Sequence, residues 1–208
     1  MKFYDCRTAP SPRRVRIFMA EKDIEIPSVQ VDLRNREQLT PAFRKINPYC
    51  TVPVLELDDG TCIRSSVGIQ RYLEERFPEP PLLGRTPEEK GRISDLQWRI
   101  ETDGFFAAAE MLRNTAQGMK GRALTGPVDY AQIPELAARG RKRMEVFLQD
   151  LEPLASNAEP YLCGKSFSVA DIDGMIVVDF ARRLHLEIDG VATRTWYEKV
   201  AARPSADA

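Results

Sequence analysis

The stretch Thr51-Val52-Pro53-Val54-Leu55, with the residues after it to Leu73, restricts the fold more than any other part of the chain. Its apolar run, Val52 to Leu57, carries a proline near its start. Proline gives no ladder donor and belongs at the first residue of a strand or on an edge. A strand beginning at Pro53 and running Val54-Leu55-Glu56-Leu57 satisfies that limit. Asp59-Gly60 is a hairpin turn signal, so Thr61-Cys62-Ile63-Arg64 returns as the partner strand. Ser65-Ser66 then opens a helix whose apolar face is Ile69, Tyr72 and Leu73, at i, i+3 and i+4.

At 208 residues the chain holds one or two domains and has ample length to bury a core. A formal charge of −1, from 30 basic and 31 acidic residues, points to neither nucleic acid nor an anionic membrane as partner. The four cysteines (Cys6, Cys50, Cys62, Cys163) show no C-x-x-C pair and no metal-ligand spacing, and the single histidine, His185, completes no cluster with them. No metal is expected. Cysteine usage fits a reducing compartment. Met1 leads straight into strand-like Lys2-Phe3-Tyr4, with no apolar signal segment and no span of about 20 apolar residues. A soluble, cytoplasmic protein is the expectation.

Along the chain, Met1 to Tyr4 reads as a short strand. Asp5 to Pro12 reads as a loop, and Pro12 suits the first turn of a helix over Arg13 to Lys22. The alternation Val29, Val31, Leu33 marks a strand within Glu25 to Leu33. Asn35 to Ile46 reads as a short helix or helical turn, with Thr40 able to cap a helix opening at Pro41. The order βαβ then ββα is that of a thioredoxin-like domain over residues 1–77. Pro78-Glu79-Pro80-Pro81 breaks any helix and suits a linker, residues 78–86. Thr86-Pro87-Glu88-Glu89 is a helix start with cap, proline and acids in sequence. An all-helical domain over 87–208 follows. It comprises a long helix from Pro87 to about Gln117, bent near Gly104, a Gly- and Pro-containing loop from Gly118 to Tyr130, and a helix from Pro134 to about Leu151. Ser168-Val169-Ala170-Asp171 is a capping box before the apolar helix Ile172 to Phe180, which assigns Ser168 and Asp171 to folding. Thr195 to Ala202 is the last helix.

Asn47-Pro48, Val52-Pro53-Val54-Leu55, Asp59-Gly60, Ser66, Ile69 and Tyr72-Leu73 resemble, in order and spacing, the glutathione-binding half of the bacterial, cytosolic-type glutathione S-transferases. The resemblance is carried to residue 77 by these motifs and beyond by pattern alone. It implies an α/β thioredoxin-like domain followed by an all-α helical bundle, glutathione as co-substrate, and a homodimer. It also implies a cis Val52–Pro53 bond and pairing of the Val52 backbone with the cysteinyl part of glutathione, a form of strand addition. Ser66, at a helix N-terminus, would take the γ-glutamyl carboxylate. Lys45, with Arg44, would face the glycyl carboxylate. A second, electrophilic or hydrophobic substrate would sit between the domains, in the region of Phe105, Phe106, Met111 and Arg113. The reaction implied is attack of the glutathione thiolate on that electrophile, a detoxification chemistry.

Two departures from the family pattern matter. A free thiol titrates near about 8.5, so the protein must stabilise S⁻ with a donor and positive potential. The thiol-activating serine of several classes falls on Ala9, which has no donor. Ser11 falls where other bacterial classes place a cysteine or an asparagine, and is the first candidate for the activating hydroxyl; Thr8 and Tyr4 are the alternatives. Arg13, Arg14 and Arg16 add positive charge nearby. The second departure is Ser65, which stands where most members carry an acid for the γ-glutamyl amine; Glu101 and Asp103 are candidate substitutes. Maleylacetoacetate isomerases share several of the same motifs but carry a serine at the place of Ala9. Other expectations compatible with these residues are a glutathione-dependent disulfide reductase or peroxidase, and a non-catalytic relative that binds glutathione.

Overall fold

Phe3 and Leu55 stand opposite one another on adjacent antiparallel strands, as do Tyr4 and Val54, and all four are buried. Side chains alternate across a strand. The first pair therefore lies on one face of the sheet and the second on the other, so both faces need a cover. The computed structural model, which describes residues 1–208, supplies one for each. Strands β1 (Lys2–Asp5), β2 (Ser28–Gln30), β3 (Val54–Glu56) and β4 (Cys62–Ile63) form one sheet in the order β2-β1-β3-β4. β1 and β2 are parallel; the other pairings are antiparallel. Helices α1 (Pro10–Glu21) and α3 (Ser66–Arg76) pack against each other, burying Val15, Ile17, Phe18, Ile69 and Leu73. Tyr4 and Val54 instead join Val31 and Phe43 in a cluster that Leu33 and Ile46 flank. Phe43 and Ile46 come from α2 (Pro41–Ile46), which Thr40 caps by accepting the Phe43 N–H. The sheet and its helices have the thioredoxin-like arrangement expected of the N-terminal half.

Several boundaries differ from the sequence reading, each for a local reason. α1 begins at Pro10, not Arg13, because prolines at the first and third helical positions remove only N–H groups that a helix start leaves unsatisfied. Ser11 is therefore inside the first turn rather than ahead of the helix. β2 is only three residues long, each of them exposed in part, an edge strand that begins just after Pro27. Between it and α2 the chain makes a 3₁₀ turn, Glu37–Leu39, after Arg36 in the left-handed region (φ 58°). Lys22, at the end of α1, is buried: its ammonium pairs with Glu74 (2.8 Å) and donates to the carbonyls of Phe77 (2.8 Å) and Pro80 (2.6 Å). It thus ties the end of α3 to the chain that follows it.

The chain divides into two compact units. The first holds residues 1–80 with 124–129 and 207–208; the second holds 81–123 and 130–206. The short segment Leu124–Asp129 thus groups with the sheet unit, although it falls within the span 87–208 expected to be helical. The second unit is built on helices α4 (Pro87–Arg99), α5 (Phe106–Thr115), α6 (Pro134–Ser156), α7 (Val169–Arg183) and α8 (Val191–Ala201). α4 opens with the Thr86–Glu89 capping box. A π-helical stretch, Ile100–Phe105, joins α4 to α5 and contains Gly104, where the sequence suggested a bend. α7 is buried on all sides from Val169 to Val178 and forms the centre of the unit. Gly140 lets α6 approach α5 closely: a Cβ there would lie 2.7 Å from the Met111 nitrogen and 2.8 Å from the Ala107 oxygen.

Ser168 and Asp171 hold the start of α7 as the capping box predicts. One Asp171 oxygen accepts the N–H (3.0 Å) and hydroxyl (3.0 Å) of Ser168; the other accepts the Leu162 N–H (2.9 Å) and the Trp196 indole N–H (3.0 Å). Burial pushes the carboxyl's pKa up, and these four donors pull it back.

Candidate functional site

The loop from Asn47 to Pro53 is shaped by one buried side chain. Asn47 is fully buried; its amide donates to the Thr51 carbonyl (2.7 Å) and hydroxyl (3.0 Å), and its oxygen accepts the Tyr49 N–H (3.0 Å). Three bonds to one loop from a side chain with no access to water leave little freedom for it. Cys50 adopts a left-handed conformation (φ 55°) within this loop, and the Val52–Pro53 bond is cis. The chain then presents Val52, whose N–H and C=O make no hydrogen bond within the protein. Asn47-Pro48 carried the likeness in the sequence; its role as the brace of the Val52 loop is visible only in the structure.

Two helix starts meet beside this unit's sheet. Ser65, not Ser66, is the N-cap of α3: its oxygen accepts the Gly68 N–H (3.0 Å). Gly68 leaves room for this close cap: a Cβ there would sit 2.9 Å from the Ser65 oxygen and 3.0 Å from an Ile63 methyl, so the neighbours would have to shift. Ser66 is buried, and its hydroxyl donates to the Ser11 carbonyl (3.0 Å), which ties the first turn of α3 to the first turn of α1. At α1 the cap is Ala9, which has no side-chain oxygen to offer. Pro10 and Pro12 have no N–H. The one N–H that the first turn of α1 can offer a ligand is therefore that of Ser11, beside the Ser11 hydroxyl. The positive end of the helix dipole acts at the same place.

The other candidate residues fall as follows. Tyr4 is buried against Phe43, edge to face at 6.2 Å, and its hydroxyl donates to Glu56 (2.7 Å). Burial, then the Glu56 hydrogen bond and charge, push its pKa up to about 12. Thr8 is exposed, with its hydroxyl 3.6 Å from the buried Cys6 sulfur. Lys45 is exposed in the last turn of α2. Of the three arginines in α1, Arg14 is buried and Arg16 is bound to Asp5 (2.6 Å), so the charge of Arg16 is largely neutralised locally.

In the helical unit, Phe105 is buried edge to face with Phe180 at 5.9 Å, and Met111 is buried as well. Phe106 is about half exposed. Arg113 donates to the carbonyls of Arg122 (2.6 Å) and Ala123 (3.3 Å), with its pKa lowered by burial and by the charge of Arg122. Of these four, Phe106 alone presents a large apolar surface to solvent. The others hold the unit together.

Residues 3–81 match the family model for the glutathione S-transferase N-terminal domain. Glutathione S-transferase 2 of Saccharomyces cerevisiae is 33% identical over 210 residues, covering 99% of this chain and 87% of that protein. A glutathione S-transferase domain-containing protein of Marinobacter aquaeolei superposes with a TM-score of 0.89 at 35% identity, over 99% of both chains. A Gtt2-class glutathione S-transferase of Vibrio parahaemolyticus superposes with a TM-score of 0.83 at 31% identity, covering 99% of this chain and 94% of that one. The sheet unit with its paired helix starts and braced Val52 loop, and the likeness over nearly the full length, place this chain in the glutathione S-transferase family.

Proposed function

We propose that the protein is a glutathione transferase in which the first turn of α1 holds the glutathione sulfur as a thiolate, through the hydroxyl and N–H of Ser11. The observation that carries this is the hydrogen bond from Ser66 to the Ser11 carbonyl, which fixes two helix starts side by side in the unit that also holds the unpaired Val52 backbone. Glutathione suits that arrangement. Its cysteinyl backbone can pair with the Val52 N–H and C=O. Its γ-glutamyl carboxylate can accept from the N–H groups of Ser66 and Val67 at the start of α3, with the helix dipole in favour. Lys45 supplies a charge for the glycyl carboxylate. Ser65, its oxygen already accepting from Gly68, replaces a charge-assisted bond to the γ-glutamyl amine with a weaker neutral one.

The chemistry is a displacement or addition. The thiol gives its proton to solvent and the thiolate sulfur forms a bond to the electrophilic carbon; in a displacement the leaving group departs with its electron pair, and in an addition the electron pair pushed onto the substrate takes a proton from solvent. The protein's share is to keep the thiol ionised near neutral pH and to align the two reactants. Residues 1–77 would serve as the glutathione-binding domain, 78–86 as linker, and 87–208 as the domain that meets the second substrate, with Phe106 its most accessible apolar candidate. We read the protein as a cytoplasmic homodimer acting in detoxification, on small electrophiles.

The test is Ser11→Ala. Conjugation of an aryl halide should fall about 10- to 100-fold in kcat with the glutathione KM nearly unchanged, the pattern for a donor used mainly on the developing or ionised sulfur. Unchanged turnover overturns Ser11 as the activating residue. A second reading, a non-catalytic relative that binds glutathione, draws on the capping position of Ala9, which offers no hydroxyl where several classes place one. Glutathione binding without an ionised thiol would favour it. Turnover of a mixed disulfide in place of an aryl halide would favour a reductase.

A further inference from the structure

Asp5, the last residue of β1, is a carboxylate only 2% exposed, and nothing in the proposed chemistry uses it. One of its oxygens accepts from the Arg16 guanidinium (2.6 Å) and the other from the side-chain amide of Gln30 (2.7 Å). Both partners then reach the same residue. The Gln30 side-chain oxygen accepts the Arg7 N–H (3.0 Å), and Arg16 donates to the Arg7 carbonyl (3.1 Å). The network draws on three elements, β1, α1 and β2, and closes on the backbone of one loop residue.

That loop leads directly to the start of α1. After Arg7 the chain turns, with the Ala9 N–H donating to the Cys6 carbonyl (2.9 Å), and Ala9 is the cap two residues before Ser11. Ala9 gives the helix start no side-chain support of its own. Its position must come from the chain on either side. On the far side the Ser66 hydroxyl holds the Ser11 carbonyl. On the near side, Asp5 and its two partners hold Arg7. Bonds to a buried carboxylate are charge-assisted and stronger than neutral ones, so they fix geometry well. Gln30 lies on an exposed edge strand and could be fully hydrated, yet both ends of its amide are engaged.

We propose that Asp5, Arg16 and Gln30 form a clamp that positions the Cys6–Ala9 turn, and through it the Ser11 donors, for holding the glutathione thiolate. The proposal rests on the reading of the site given above. Asp5, Arg16 and Gln30 are positioning residues; none is placed against glutathione.

Gln30→Met tests it, because Gln30 is exposed and its change removes both amide contacts of the clamp while leaving the Arg16–Asp5 pair and the apolar core in place. Three quantities are measured on wild type and variant: thermal midpoint, hydrogen exchange of the Arg7 amide without ligand, and ultraviolet titration of bound glutathione. The expected result is a midpoint lowered by only about 2–4 °C, the cost of one lost Asp5 partner, exchange at Arg7 faster by about fivefold or more, the worth of one net hydrogen bond, and a thiol that ionises at higher pH. Conjugation should lose kcat while the glutathione KM stays nearly constant. Unchanged exchange overturns the clamp. Faster exchange with an unchanged thiol titration overturns its role in positioning. If wild type itself binds no ionised thiol, the reading of the site fails and the positioning role with it, while exchange at Arg7 still decides whether the clamp holds the turn.

Discussion

Tyr4 and Ser11 are both hydroxyls that the sequence offers for the thiol, and their surroundings separate them. Tyr4 is packed into the core cluster with its proton donated to Glu56, and its pKa of about 12 keeps it un-ionised at neutral pH. Tyr4→Phe should therefore leave conjugation within about twofold of wild type and cost about 1 kcal/mol of stability, the net worth of one hydrogen bond. Turnover and denaturant unfolding check the two halves. A collapse of activity would move the thiol to Tyr4. Ser11 keeps its hydroxyl and N–H beside the helix start. Pro12 marks that start in the sequence, but Pro10 suits it equally, so the first turn begins earlier than one proline suggests. The roles of Asn47, Gln30 and Asp5 were not legible, because each depends on backbone groups whose direction only the folded loops define.

Elements are joined by contacts between residues far apart in sequence, and these are hidden from local pattern. Lys22 and Glu74, 52 positions apart, are both buried and pair at 2.8 Å. Replacing Lys22 with Met takes the buried ammonium away from the Glu74 carboxylate and from the carbonyls of Phe77 and Pro80, so Lys22→Met should cost about 3 kcal/mol in urea unfolding. A second Glu74→Leu change should regain part of it. A loss below about 1 kcal/mol would contradict the account, as that is the range of surface pairs. Helix starts, in contrast, were readable wherever the cap lies within the helix's own sequence, as at Thr86 and Ser168. α8 begins at Val191, ahead of the Thr195 expected from pattern, because its cap comes from another helix. Glu152 of α6 accepts the N–H groups of Ala192 (3.0 Å) and Thr193 (2.9 Å) and the Thr193 hydroxyl (2.8 Å). The Thr193 and Ala192 N–H groups hold its pKa below the ordinary glutamate value. A depressed folded pKa gives stability that is present above the unfolded carboxylate range and lost as pH falls through the folded value. Glu152→Gln should therefore lower the thermal midpoint at neutral pH and bring variant and wild type together under acid. Parallel curves from pH 7 to pH 3 would contradict this.

At the scale of the whole molecule, the order of elements was legible throughout. The hairpin turn at Asp59-Gly60, the proline-rich break after Phe77 and the capping boxes are local signals whose chemistry survives folding unchanged. The assignment of 124–129 to the sheet unit was not legible, since it rests on contacts that no local pattern encodes. Nor were the separate fates of Phe105, Met111 and Arg113, which a stripe at helical spacing cannot distinguish from pocket residues. What the molecule is proposed to do depends on one place, where the starts of α1 and α3 are joined through Ser66 and Ser11. The most direct measurement is an ultraviolet difference titration of glutathione bound to the intact protein, with calorimetry to establish occupancy. The account predicts saturable binding and a thiol that ionises at least about one pH unit below its free value near 8.5. Saturable binding with the thiol titrating as it does in free solution would contradict it.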